Sequence, residues 1–503
     1  LNARIIDAPL TWGGVAAVAA GAELHLSAAA ERRIAHGRAL VDVIVDRGMR
    51  AYGVNTGVGA LCDTLLSRGQ LRDLSRNILM SHACGVGDAL SVTETRAIMA
   101  AAINNFAHGG SGVRPLVVER LLALLNADLI PRVPRSGSIG YITHMAHIGL
   151  VLLGEGTVRS AHRGVGADGE LGAREALARL GAGELQLEAK EGLSLVNGTA
   201  DTTGLACLAL GRLAVLLDWA DRIAAMTFEN LGHDISAYSP ETLSFSASDD
   251  IRRTGARLTR LLAGSELLAG AAMRTQDAMS LRAVPHVHGA LRACFRASAE
   301  AVDRELASVT DNPLVAGSLE QPAVHAGAHA IATGLALSID GLAIAVAKIA
   351  AMSERRIDRL VNPLVSGLPP FLAADAGATS GFMIAQYTAL ALSSENRRLA
   401  APSSLDGGVS SALQEDEIPH TTAGALRLLS VIGNFESILG IELLAAAQAY
   451  ECQDPKKARA PATERIYRQF REVVPHYADD RPLAGDMERA AGFLRTPLDF
   501  GPL

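Results

Sequence analysis

Along the chain, apolar residues recur at three- and four-residue spacing, and the two-residue alternation of half-buried strands is missing. Leu205 to Phe228, Ser298 to Val309, Ile331 to Leu360 and Ala423 to Tyr450 all show this helical period. Ala and Gly interleaved with Leu on such faces let helix axes approach closely. The pattern predicts a mainly α protein, a bundle of long antiparallel helices.

The first third reads differently. Ala51 to Gly59, Cys84 to Gly87, Ala107 to Arg114 and Pro131 to Gly140 are Gly-rich loops between shorter helical stretches, the texture of a site-bearing region. A second seam, Gly-rich and polar, runs from Arg163 to Gly183, and after Cys452 the chain turns charged and Pro-punctuated before a last helix signal from Thr463. The expected organisation is a loop-rich helical domain over 1–190 carrying the Tyr52 loop, a central long-helix bundle over 191–451, and a C-terminal helical segment over 452–503. No internal repeat is visible.

Composition narrows the function classes. The 503 residues are 49% hydrophobic and 20% charged, enough apolar surface to exclude a disordered chain. Aromatics make up only 4%, so the core must be Ala, Leu, Val and Ile. The net charge of −7, with no basic run longer than Lys456-Lys457, argues against nucleic acid or an anionic membrane and leaves a small molecule as partner. Cys62, Cys84, Cys207, Cys294 and Cys452 stand far apart, as in a reduced, cytoplasmic protein. The best membrane-span candidate, Leu335 to Met352, is interrupted by Asp340 and Lys348, so no membrane helix is expected. The chain opens at Leu1 without a methionine or signal-peptide pattern, so its natural start is expected upstream and targeting is left unread.

Common catalytic signatures are missing: no Walker loop, no HExxH, no GxSxG elbow, no GxGxxG after a strand. Lysine occurs only at 190, 348, 456 and 457, which disfavours Schiff-base chemistry. His144 and His147, and His286 and His288, have no neighbouring carboxylates or thiols in the sequence and read as packed histidines, so no metal is expected.

What carries chemistry is a series of local strings. Tyr52-Gly53-Val54-Asn55-Thr56-Gly57-Val58-Gly59 comes first, then Ser81-His82-Ala83-Cys84-Gly85-Val86-Gly87 and Gly110-Ser111-Gly112-Val113-Arg114-Pro115. Val196-Asn197-Gly198-Thr199, Gln276-Asp277-Ala278-Met279-Ser280-Leu281-Arg282, Val309-Thr310-Asp311-Asn312-Pro313 and Gln414-Glu415-Asp416 follow. Each alone is a turn or a cap. In this order, with His476-Tyr477 near the end, they closely resemble the histidine and phenylalanine ammonia-lyase family, and Ser81-His82 with Gln414-Glu415-Asp416 resembles its histidine branch.

That resemblance implies an oligomeric long-helix bundle, a homotetramer with active sites built from several subunits, and a histidine-type substrate. It makes Tyr52 the base that takes the β-proton and Arg282 the bidentate holder of the substrate carboxylate. Asn197 would contact the carboxylate or amine end, His82 and Glu415 would address the imidazole, and Gln276 would lie nearby. A phenol, with an ordinary pKa near 10, serves as a base only where a cation or desolvation helps it.

One departure bears on mechanism. The family builds its electrophile, a methylidene-imidazolone ring, from an internal Ala-Ser-Gly, yet here Gly137-Ser138-Ile139-Gly140 runs directly into Tyr141-Ile142-Thr143-His144. The prosthetic position would fall between Gly140 and Tyr141. Ring-supporting positions also differ: Met279 replaces a tyrosine, Gly327-Ala328-His329-Ala330 replaces Gly-Gly-Asn-Phe, and Leu413 replaces an Asn. The loss of bulky Tyr and Phe at Met279 and Ala330 would make room for three methyl groups, with Met279 and His329 among the substrate-binding positions. By resemblance the first expectation is a cofactor-free ergothionase, which eliminates trimethylamine from ergothioneine to leave thiourocanate, with Glu415 as a candidate acid. A quaternary amine leaves without an electrophile, so acid and base suffice. The alternative is a histidine ammonia-lyase, L-histidine to urocanate and ammonia, whose methylidene-imidazolone residue is left out of the written sequence. A non-catalytic relative ranks below both.

Overall fold

A computed structural model describes residues 2–56, 66–161, 169–268 and 275–495. The architecture is mainly helical, as the periodicity predicts. The elements that position the site are α1 (Arg68–His82), α2 (Thr143–Leu152), α3 (Glu191–Val196), α4 (Ala200–Leu231), α5 (Val284–Leu306), α6 (Thr333–Val361) and α7 (Thr421–Glu451). The stretch read as Ser298 to Val309 is the end of α5, which begins earlier and stops at Leu306. Strands are short and occur in two- and three-stranded sheets, the longest register running antiparallel from Leu314↔His325 to Gly317↔Pro322.

The domain division expected from the sequence does not match the compact units. The first comprises Leu1–Gly211, Ser298–Ile339 and Pro402–Leu426; the second comprises Arg212–Ala297, Asp340–Ala401 and Arg427–Leu503. Four of the five boundaries fall inside α4, α5, α6 and α7, the fifth lies between Ala401 and Pro402, and none falls at the seams near 190 and 451. A continuous helix keeps its apolar period whichever unit it enters, so no composition shift marks the crossing.

The first unit has an apolar cluster of Leu40, Val41, Ile44, Ala51, Val54, Leu71, Ala189 and Val315. Ala51 and Val54 belong to the turn that carries Tyr52, so this turn is anchored in core. The second unit is held by buried charge as well as by Leu and Ala. Arg356 and Glu442 are both fully buried, with Nε–Oε1 at 2.6 Å, and Nη2 donates to Oε2 at 2.8 Å. Thr227 and Ser353 hydroxyls also donate to this carboxylate. Asp221 takes Arg292 at 2.6 Å and His288 at 2.8 Å.

Three stretches, Glu191–Leu231, Thr333–Val361 and Thr421–Glu451, are long and apolar enough to cross a membrane by length and composition, which departs from the expectation above. Their apolar windows are 72%, 61% and 78% buried inside the protein, so packing against other helices already uses these faces.

Candidate active site

Tyr52 sits half-buried in a tight turn. Val54 N–H donates to Ala51 O at 3.1 Å, and Asn55 accepts Ala51 N–H on Oδ1 at 2.9 Å while donating to Met49 O at 2.8 Å. Gly53 has φ +63°, and a Cβ there would lie 2.6 Å from Leu193 of α3 and 3.0 Å from Pro313. Only glycine meets both demands, and so the turn is seated directly on α3. The following residues of the predicted loop, Gly57 to Gly59, lie outside the described residues.

His82 closes α1, whose start is fixed by a capping box of Ser67 and Gln70. Ser81 Oγ donates to Asn77 O at 2.8 Å and lies 2.9 Å from His82 Nδ1. With the hydroxyl proton on the carbonyl, Nδ1 is the protonated nitrogen and Nε2 the acceptor. Burial lowers the His82 pKa, opposed by its Ile78 backbone bond and the Glu415 charge, which keeps the ring neutral at pH 7.

Glu415, half-buried, follows a strained tip. Ser410 and Glu415 pair antiparallel, with Ser410 N–H to Glu415 O at 2.8 Å, and Ser411, Ala412 and Leu413 between them all have positive φ of 50°, 52° and 73°. Left-handed backbone costs side chains such as Leu far more than Asn. Leu413→Asn is expected to raise stability by up to about 1 kcal/mol, measured as a higher urea midpoint.

Tyr141 hydroxyl donates to Glu415 Oε2 at 2.5 Å, a contact spanning 274 positions. Its loop is tied beneath by a buried carboxylate, Asp201, which accepts from Ser138 Oγ at 2.7 Å and Thr422 Oγ1 at 2.9 Å. His144 Nδ1 lies 3.4 Å from the same oxygen. Burial alone would raise the Asp201 pKa, but His144 and the two hydroxyls outweigh it and hold the group ionised. Thr202 and Thr421 hydroxyls meet at 2.8 Å, and a Cβ on Gly140 (φ +135°) would stand 2.4 Å from Thr421 Oγ1.

The segment at the prosthetic position is therefore a closed turn of ordinary residues. Ser138 Oγ also donates to Tyr141 O, Thr143 N–H donates to the same carbonyl, and Ile142 N–H reaches Val196 O at 2.9 Å. It contains no Ala-Ser-Gly, and the Gly137 and Tyr141 carbonyls and the Gly140, Ile142 and Thr143 N–H groups are engaged. These residues do not fit the family's ring, and no step below runs through it.

Asn197 caps α3 and donates to Asn312 O at 2.5 Å, while Asn312 Oδ1 accepts Gly327 N–H at 2.9 Å. Asn312 thus ties Asn197 to the strand-end loop bearing the exposed His329. Underneath, fully buried Lys190 meets Asp311 at 3.2 Å and Ser194 at 2.7 Å. Burial lowers its pKa against the pull of Asp311. Within the first unit the Tyr52 turn thus sits on α3, Asn197 is joined through Asn312 to the loop that bears His329, and His82 lies in the field of Glu415.

Gln276, Met279 and Arg282 form a separate group in the second unit. Gln276 and Met279 are exposed, the latter 61%. Asp277 between them accepts His233 and Asp234 N–H at 3.0 Å each, which fixes the segment. Arg282 keeps a buried Nε–H with no acceptor among the described residues, suited to an incoming carboxylate.

Sequence reading missed Asp201, Ser138, Thr422 and Asn312 as supports. A signal was present in the hydroxyl-rich starts of α4 and α7, Asp201-Thr202-Thr203 and Thr421-Thr422, but their pairing is tertiary. His147 was read as packed, and it accepts Gly85 N–H on Nε2 at 3.1 Å. Burial first, then His144 and Arg132, push its pKa down to about 4. The unfolded chain then binds a proton that the native state refuses, so stability is complete above pH 6.5 and declines as pH falls toward 4. His147→Gln should flatten that stretch of the thermal-midpoint profile. Among the described residues no three His, Cys, Asp or Glu side chains converge to hold a metal.

A sequence model of the family described as aromatic amino acid lyase matches residues 10–472. Histidine ammonia-lyase of Symbiobacterium thermophilum is 41% identical over 502 residues, 99% of this chain and 97% of its own. That of Anaeromyxobacter dehalogenans is 41% identical over 488 residues, 95% and 96% of the two chains. Among solved structures, histidine ammonia-lyase from Trypanosoma cruzi superposes with TM-score 0.90 at 32% identity, covering 98% of this chain and 93% of that one. Ergothionase from Treponema denticola, in complex with desmethyl-ergothioneine sulfonic acid, superposes with TM-score 0.89 at 26% identity, covering 98% of each chain.

Proposed function

Because this chain belongs to the aromatic amino acid lyase family, we propose that it is a carbon–nitrogen lyase that removes the amine of an imidazole-bearing amino acid by α,β-elimination. L-Histidine, giving urocanate and ammonia, is the substrate favoured by relatives named histidine ammonia-lyase at 41% identity. The observation that carries the imidazole specificity is that half-buried His82, kept neutral by burial, lies within electrostatic reach of half-buried Glu415. His82 Nε2 accepts and Glu415 accepts, a pair suited to the two N–H groups of an imidazolium or of an imidazole-2-thione.

In this reading Tyr52 takes the β-proton, the C–H pair becomes the Cα–Cβ double bond, and the amine departs with the C–N pair. By the family resemblance Asn197 would take the amine end and Arg282 the substrate carboxylate. The family's ring would supply the electrophile for a poor leaving group such as ammonia, and because Gly137 to Thr143 do not fit it, the L-histidine reading requires a ring residue that the written sequence leaves out.

The closed turn from Gly137 to Thr143, with no Ala-Ser-Gly, favours a second reading: a substrate whose amine needs no electrophile, such as the trimethylammonium of ergothioneine. Purified enzyme offered L-histidine and ergothioneine separately, and followed in the ultraviolet, decides between them. Urocanate from histidine supports the first and thiourocanate alone the second. Product from neither refutes both and leaves a non-catalytic relative.

A cytoplasmic homotetramer is part of the same proposal. Ile344, Ile384, Tyr387 and Leu390 of the second unit are 50%, 57%, 61% and 42% exposed, apolar surface that a further copy would cover. Light scattering on the eluted protein gives the copy number, and a monomer would refute the tetramer.

A further inference from the structure

We propose that Tyr141 is a positioning residue of the elimination: its phenol fixes one oxygen of Glu415 so that the other is presented to the substrate's imidazole. The inference rests on the reading of Glu415 as the imidazole's partner and adds the element that aims it.

Four observations converge. Tyr141 is 8% exposed, and its hydroxyl is 2.5 Å from Glu415 Oε2, the length of a charge-assisted O–H···O bond. Glu415 itself stands just past the left-handed run Ser411 to Leu413, on a short tip with no helix behind it. A carboxylate on such a tip keeps several rotamers unless something holds it.

The donor, in contrast, comes from a rigid place. Ser138 Oγ links the Tyr141 carbonyl to Asp201, and Asp201 is shared with Thr422 at the start of α7. Ile142, directly after Tyr141, is held at φ 76° and ψ −74°, a conformation that a β-branched residue adopts only under constraint from its surroundings. The backbone is thus bent at the residue that turns the phenol to Glu415.

The chemistry suits the role. Burial, the bond to Glu415 and its negative charge all push the Tyr141 pKa up, so the phenol stays protonated and can only donate at neutral pH. Tyr141 therefore does not compete with Tyr52 for the β-proton. It occupies one lone-pair region of the carboxylate and leaves the second oxygen for the ligand.

The test compares the full-length wild type with Tyr141→Phe, Glu415→Gln and the double variant. Each is titrated calorimetrically with trans-urocanate, a probe carrying the imidazole and carboxylate of the proposed product, and melted by circular dichroism. Tyr141→Phe keeps the ring and removes the donor. It should weaken urocanate about tenfold, the order expected for one charge-assisted hydrogen bond, with an unchanged melting transition. Added to Glu415→Gln it should cost little more, because the two act as one unit.

Where either substrate turns over, Tyr141→Phe should raise KM by a similar factor and lower kcat less. Unchanged urocanate binding in Tyr141→Phe overturns the proposal, as do losses that multiply in the double variant. A melting point lowered by about ten degrees in Tyr141→Phe also overturns it, by assigning the phenol to folding. Wild-type binding in Glu415→Gln removes the imidazole reading of Glu415 and the positioning role with it. Loss in Glu415→Gln beside normal binding in Tyr141→Phe removes the positioning role alone.

Discussion

Tyr52→Phe is expected to lower turnover about a thousandfold on whichever imidazole amino acid the enzyme accepts, the size typical of removing a general base. KM should change little, since the proton is transferred only as the transition state forms. The fold should be indifferent. The turn is held by backbone bonds from Val54 and Asn55 to Ala51, by the Asn55 amide, and by Ala51 and Val54 in the apolar cluster, none of which involves the phenol oxygen. Steady-state rates with L-histidine and with ergothioneine, beside a melting curve, check both halves. Full activity in the variant would remove Tyr52 from its assigned role, whichever substrate is turned over.

The largest effect on stability is expected in the second unit, at the buried Arg356–Glu442 pair. Arg356→Met leaves the Glu442 carboxylate with the Thr227 and Ser353 hydroxyls but without its bidentate cation, in a place with no solvent exposure. Breaking such a pair by removing one partner costs about 3–5 kcal/mol, because an uncompensated charge stays buried. Adding Glu442→Leu should recover much of that loss, since a buried pair replaced by apolar groups of similar volume is often near neutral. Urea unfolding of the two variants, compared with the parent, measures both. A single variant as stable as the parent would show that water or a neighbouring group satisfies Glu442.

Much of this was visible in the linear text because helices announce themselves locally. The period of α4, α6 and α7 can be read without any partner, and the matching structural helices differ from the sequence expectation by a few residues at their ends. The Gly-rich strings were also legible, and Gly53 shows why. A Cβ on Gly53 would stand 2.6 Å from Leu193, so the turn tolerates no side chain there, and that demand is written into the sequence as glycine. Most of the unit boundaries are hidden for the converse reason, since four of the five cut through helices whose pattern does not change.

The sequence by itself determined the helical class through its period, and the family and the candidate residues Tyr52, His82, Asn197, Arg282 and Glu415 through short strings that resemble those of the aromatic amino acid lyases. It also established that Gly140 is followed by Tyr141 with no Ala-Ser-Gly between them. Only the tertiary structure decided what that junction does. It brought Tyr141 to Glu415 across 274 positions, and Ser138 and Thr422 to one buried Asp201. Hydrogen bonds between distant residues depend on where folded helices start and how their turns close, and no local periodicity records that.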